Sequence, residues 1–181
     1  PVYSAPRQFL EVRVDGRVSN YFEWLGAGRY HITNPRGTMA PGARGPIKDI
    51  YFGFNDREFL LRIDCYRQAH QVLGRFSAIR VLFDGEQEVA LEITSCGAAA
   101  PRVGVRQADG EVKPAGDART ACDAIFELAV PFSVLGLEAG REVQFVVEFE
   151  EPGDLGARYP RESSIGFRVP TADFEARMWT A

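Results

Sequence analysis

This sequence predicts an all-β protein, an antiparallel β-sandwich with long loops and only short helical turns. Short runs in which apolar and polar residues alternate recur along most of the 181 residues, and this pattern is typical of half-buried strands. Apolar residues at helical spacing never extend over the ~10 residues of an ordinary helix. Eight to ten short strands separated by Gly, Pro and Asp describe a sandwich or a barrel, and we prefer the sandwich.

Two hairpins are predicted in the first half of the chain. The apolar run of residues 50–54 leads through the turn dipeptide at 55–56 into a strand with Phe59, Leu61 and Ile63 on one side. A second pair of strands, residues 76–83 and 89–93, meets across Asp84 and Gly85. Because the turn within each pair is short, both pairs are expected to be antiparallel.

The second half of the chain carries two more alternating runs. The first has Ala124, Phe126, Leu128 and Val130 on one side, and the second has Val143, Phe145, Val147 and Phe149. Short helical turns are expected at residues 46–49, 131–136 and 172–175. Long loops are expected at residues 34–45, 97–118 and 151–161. With no linker visible between them, residues 1–181 are expected to form a single domain.

Composition excludes several classes of partner. The formal net charge of −4 argues against nucleic acid and anionic membranes, which both need a basic face. An apolar run near the ~20 residues of a membrane span is missing, as is a signal peptide. Three cysteines, Cys65, Cys96 and Cys122, match no zinc spacing and are expected to be free thiols, which favours a cytoplasmic location.

Residues 15–30 form the most unusual segment, because four aromatic residues are packed between glycines. Its motif, Asp15 to Gly28, resembles the opening of the C-terminal β-domain of glycoside hydrolase family 57 enzymes. Later segments fit the same resemblance: residues 50–55, 59–64, 130–137, 146–151 and 163–167, and Trp179. Their order is also similar to family 9 carbohydrate-binding modules and DOMON-like sandwiches.

The resemblance implies a C-terminal fragment of a larger α-amylase-like or glucanotransferase-like enzyme. Because catalysis in that family resides in a separate barrel domain, this chain is expected to be a non-catalytic accessory domain. It would dock on its own catalytic domain and bind α-glucan oligosaccharides. A stand-alone carbohydrate-binding module and a haem-binding DOMON-like domain are the alternatives.

Sugar binding requires flat apolar surfaces for the pyranose rings and polar groups for the hydroxyls. The candidate site has the aromatic residues Tyr21, Trp24, Tyr30 and Trp179, with Glu23 as a polar partner. Asn20, Arg29 and His31 are further polar candidates. Because Phe22 and Trp24 alternate, burial of Trp24 in the core is the competing interpretation.

Catalytic, metal and haem sites find little support in the sequence. Glu23 is the only acid among aromatics, and a second carboxylate for glycoside hydrolysis is not evident. No cofactor is expected, although Asp15, Asp64 and Asp84 are candidate Ca²⁺ ligands without EF-hand spacing. The residues available as axial haem ligands are His31, His70, Met39 and Met178.

Overall fold

The computed structural model describes residues 2–33, 45–154 and 156–180, and these residues form two antiparallel sheets. The first sheet contains β1 (Tyr3–Ser4), β2 (Gly28–His31), β3 (Ile47–Phe54), β4 (Glu58–Cys65), β9 (Arg119–Cys122) and β10 (Phe126–Pro131), in the order β1-β2-β3-β4-β10-β9. The second contains β5 (Ala78–Asp84), β6 (Glu88–Thr94), β7 (Arg102–Arg106), β8 (Val112–Pro114), β11 (Glu142–Glu150), β12 (Ala157–Tyr159) and β13 (Ile165–Arg168). Its order is β12-β11-β5-β6-β7-β8, and β13 also pairs with β11. The prediction of an all-β sandwich is confirmed.

Both predicted hairpins are present, since β3 pairs with β4 and β5 pairs with β6. The helices are short: α1 (Ala69–Leu73), α2 (Phe132–Leu135), α3 (Phe174–Thr180) and a 3₁₀ helix (Tyr21–Trp24). Among the described residues, no helix has the length and apolar content needed to cross a bilayer.

Three local predictions were wrong. Residues 47–49 belong to β3 and not to a helical turn, since they pair with β4 and β2. The predicted loop at residues 97–118 contains β7 and β8, and the loop at 151–161 contains β12. The helical turn predicted at 131–136 is confirmed as α2.

A core of phenylalanine rings joins the two sheets. Phe59 of the first sheet lies 5.1 Å from Phe83 and 5.3 Å from Phe145 of the second, measured between ring centroids. Phe52 and Phe145 also make an edge-to-face contact at 5.3 Å. Because aromatic pairs at such distances add to the energy of apolar burial, these rings stabilise the packing of one sheet on the other.

The outer face of the first sheet is not fully open to solvent. Residues 7–27, which we call the covering segment, pack there through Leu10 and Trp24 onto Leu60 and Ala129. Leu60 and Ala129 alternate along their strands with residues that point into the main core. The sandwich therefore has a second, smaller core under the covering segment, and this core positions the predicted aromatic residues.

Candidate functional site

Trp24 lies in the second core and is only 7% exposed. Its indole Nε1 donates a hydrogen bond of 2.9 Å to Oε2 of Glu127 on β10. A ligand cannot stack on a ring that is covered on both faces by protein. The prediction that Trp24 binds sugar is therefore corrected: this ring fastens the covering segment to the sheet.

Glu127 is a fully buried acid at the centre of this anchor. Its Oε1 accepts backbone N–H bonds from Asp15 at 3.1 Å and from Gly16 at 2.9 Å. Burial raises the pKa of the Glu127 carboxyl, and the three hydrogen bonds that it accepts oppose this shift. Three donors that converge on one carboxylate hold the covering segment against β10.

The Asp15–Gly16 dipeptide of the motif therefore has a structural role. Gly16 has φ +75°, and a Cβ on it would lie 2.8 Å from the backbone N of Asp123. Any other residue would be strained here, because L side chains avoid this backbone conformation and the neighbouring chain leaves no room. Asp15, Gly16 and Trp24 are therefore the residues of the motif that fix the covering segment in place.

The other four residues of the predicted sugar site lie on three different elements, and Tyr30 faces away from Tyr21 and Glu23. Tyr21 is 75% exposed on the 3₁₀ helix, whereas Tyr30 on β2 packs against the main core, on the opposite face of the sheet. Burial raises the pKa of the Tyr30 hydroxyl. Glu23 accepts a 2.6 Å hydrogen bond from the backbone N of Arg13. Trp179 is 89% exposed on α3.

Four apolar side chains of the covering segment are exposed to solvent, and Tyr21 alone among them was a candidate site residue in the sequence. We call these four residues the apolar patch: Val18, Tyr21, Phe22 and Leu25. The rings of Tyr21 and Phe22 meet edge to face at 5.6 Å, so each ring orients the other. All four residues lie within eight positions of the covering segment.

The backbone beneath the apolar patch is held on both sides. The Asn20 side chain caps the 3₁₀ helix by accepting a 2.9 Å hydrogen bond from Phe22 N. At the other end of the helix, the Gln8 side chain donates to the carbonyl of Leu25 at 2.8 Å. The exposed rings are therefore presented by a fixed backbone, and a partner would not have to order it.

The candidate polar partners Arg29 and His31 meet on another part of the same sheet face. Asp49, which is buried, accepts from Arg29 Nε at 3.0 Å and lies 2.8 Å from His31 Nδ1 through the same oxygen. Beside them, Tyr51 lies under the guanidinium of Arg62, whose carbon is 4.8 Å from the ring centroid. Since each cation has a partner, this cluster forms a charge-balanced surface.

The candidate Ca²⁺ ligands are spread over the molecule. Asp15 lies beside Glu127. Asp64 accepts from Nε and Nη2 of Arg62 at 2.6 and 2.8 Å, and Asp84 belongs to the second sheet. Across residues 2–33, 45–154 and 156–180, no three His, Cys, Asp or Glu side chains are grouped so as to hold a metal ion.

The candidate haem ligands are equally dispersed. His31 is bonded to Asp49, His70 lies on α1, and Met178 lies on α3. Met39 lies outside the described residues.

Glu127 and Asp49 are buried acids that the sequence did not reveal. Glu127 stands between apolar residues in the strand 126–130, and this position predicts an outward, solvated carboxylate. Its burial depends on a segment more than one hundred residues earlier in the chain. The sequence offered one indication of this burial: if Trp24 is buried, its indole N–H needs an acceptor, and Glu127 is that acceptor.

Comparisons with known proteins give no match: no family model, no curated protein and no solved structure resembles this chain at a significant level.

Proposed function

We propose that this chain is a non-catalytic accessory domain of a glycoside hydrolase of family 57 type, and that it docks on the catalytic domain through the apolar patch. The single observation that supports docking is the exposure of Tyr21 and Phe22, at 75% and 69%, on an anchored backbone. The largest apolar patch on a monomeric protein is often a site of interaction, and patches of more than a few hundred Å² are uncommon. Aromatic side chains are also the residues that most often dominate binding energy at interfaces.

The free energy available from burying the two rings is large enough for a specific contact. Covering the exposed parts of the two rings would remove on the order of 300 Å² from water, worth up to about 7 kcal/mol at ~25 cal/mol per Å². Association within one polypeptide costs less entropy than association of separate molecules, since the two domains are already tethered. Two rings can therefore hold a tethered domain in place.

The test uses the complete protein that carries this chain. We expect the double substitution Tyr21→Ser, Phe22→Ser to separate the thermal unfolding of this domain from that of the catalytic domain, and to leave the isolated domain as stable as before. Val112→Ser is the matched control, because Val112 is 44% exposed on β8 of the other sheet. Identical unfolding of the complete protein with and without the patch substitutions would overturn the docking role.

Binding of α-glucan is the second candidate function, and the exposed ring of Trp179 favours it. Trp24 is buried, so quenching of tryptophan fluorescence by maltooligosaccharides would report on Trp179. We expect saturable quenching that is lost in Trp179→Ala and weakened in Tyr21→Ala, both with unchanged thermal stability. A titration with no saturable change would contradict this role.

A further inference from the structure

A groove of about 520 Å³ crosses the outer face of the second sheet, on the opposite side of the sandwich from the covering segment. Its floor is aliphatic, since Val146, Leu82 and Ala90 stand opposite one another on three neighbouring strands. Gln107 and Ala108 form one wall, at the turn between β7 and β8. Arg158 and Ser164 form the other.

Polar side chains with planar ends surround this floor. They are Asp84, Glu88, Arg106, Gln144 and Arg158. Ser164 donates its hydroxyl to the amide oxygen of Gln144, which orients that amide. A site with an apolar floor, a few oriented polar groups and a volume of several hundred Å³ is typical of small-ligand binding.

Arg106 is held at the groove by an ion pair. One of its terminal nitrogens is bound to Glu92 at 2.5 Å, and its side chain is 42% exposed. Because Glu92 fixes this side chain, a ligand in the groove would meet an ordered guanidinium.

The charges around the groove indicate a neutral ligand. Both signs of charge line the groove, the cations Arg106 and Arg158 and the acids Asp84 and Glu88, and Arg106 is already paired with Glu92. Neither a polyanion nor a polycation would meet a complementary field. A molecule that both donates and accepts hydrogen bonds fits this mixture, and sugar hydroxyls do both while the C–H faces of the ring suit an aliphatic floor.

An extended peptide fits the groove less well. Peptides that bind sheets normally add as a strand at an edge, where backbone N–H and C=O groups are free. Here the floor belongs to β5, β6 and β11, whose backbones are already paired on both sides. Recognition in this groove must therefore come from side chains.

We propose that this groove binds a short neutral oligosaccharide lying across β11, β5, β6 and β7. This site is separate from the apolar patch and from Trp179, and it goes beyond the docking role. Substitutions in the apolar patch would not change the groove, because no patch residue lines it. Each proposal can therefore be wrong without the other.

The experiment is a titration of the ¹⁵N-labelled chain with maltopentaose, cellopentaose and xylopentaose, followed by backbone amide NMR shifts. We expect at least one pentasaccharide to give saturable shifts in β5, β6 and β11. Arg158→Ala combined with Gln144→Ala should weaken that binding about tenfold or more, because both substitutions remove hydrogen-bonding groups.

Two further variants make the result decisive. Ala90→Met fills the floor without removing a polar group, and it should also weaken binding about tenfold or more. Arg102→Ala removes an exposed cation of β7 that does not line the groove, and it should leave the affinity unchanged. Saturable shifts confined to residues 18–25 or to α3, saturable binding of an extended peptide alone, or no saturable shift with any of the three sugars would each overturn the proposal.

Discussion

Glu127 determines how the covering segment is attached, because a single carboxylate accepts from Trp24, Asp15 and Gly16. It is also the cross-strand neighbour of Arg62 on β4. A buried carboxylate is costly unless it is hydrogen-bonded, and here three N–H donors compensate for the lost water.

Glu127→Gln is expected to destabilise the domain by about 1–3 kcal/mol, because the amide NH₂ would face the indole N–H of Trp24 and leave a buried donor without an acceptor. The free energy of unfolding in urea measures this loss. Glu148→Gln, a partly exposed acid on β11, is the matched control and should change it little. Equal stability of the two variants would contradict the role of Glu127 as an acceptor of three hydrogen bonds.

The raised pKa of Glu127 predicts how the unfolding free energies of the wild type and of Glu127→Gln depend on pH. A folded-state pKa above the ordinary value of 4.5 means that the folded state binds more protons, so this group's contribution is full below pH 4.5 and is lost as the pH rises through the folded-state pKa. The difference in unfolding free energy, wild type minus Glu127→Gln, should therefore grow as the pH falls from neutrality towards 4.5. A difference that grows with rising pH would show that the pKa is lowered.

The three thiols are expected to resist modification in the folded protein. Burial raises the pKa of Cys65 to about 12, of Cys96 to about 11 and of Cys122 to about 12, and the thiolate is the reactive form. At pH 8 a disulfide reagent should label them slowly in native conditions and rapidly in urea. Fast, stoichiometric labelling of one cysteine in the native chain would contradict this.

Among the strands, those with clear alternation were predictable, whereas β7 and its edge neighbour β8 were not. The sequence indicated β4, β5, β6, β10 and β11, because each has apolar side chains on its inner face. It missed β7 and β8, where Gly104 and Pro114 interrupt the pattern. These strands are stabilised by pairing with β6 and with each other, a non-local effect that local alternation does not contain.

For a similar reason, the sequence could not show which rings of residues 15–30 are exposed and which are buried. The exposure of Tyr21 and Trp179 agrees with a surface role, but Trp24 is buried by contacts with Leu60 and Ala129 on distant strands. Nothing within residues 15–30 says which ring will meet the sheet. The covering segment had to be placed on the sheet before its inward and outward faces could be told apart.

The contact between the covering segment and β3 depends on a glycine. A Cβ on Gly53 would lie 2.6 Å from Cδ1 of Leu10, so Gly53→Ala should force Leu10 out of the second core. We expect a loss of about 1–3 kcal/mol in unfolding free energy, as for other overpacked cores. Gly116→Ala, where a Cβ meets nothing within 4 Å, is the control. Equal stability of both variants would show that Leu10 repacks without cost.

At the level of the domain, two sheets and one covering segment produce two different outer faces. The first sheet presents the apolar patch through its cover, and the second presents a polar-edged groove. The two proposals each use one of these faces, the apolar patch for docking and the groove for a neutral oligosaccharide.

Hydrogen exchange at the apolar patch tests the docking role without any substitution. Backbone amides of residues 18–25 should exchange more slowly in the complete protein than in the isolated chain, while those of β8 on the other sheet exchange equally in both. Equal exchange at residues 18–25 in the two samples would show that nothing covers Tyr21 and Phe22, and the docking role would then be wrong.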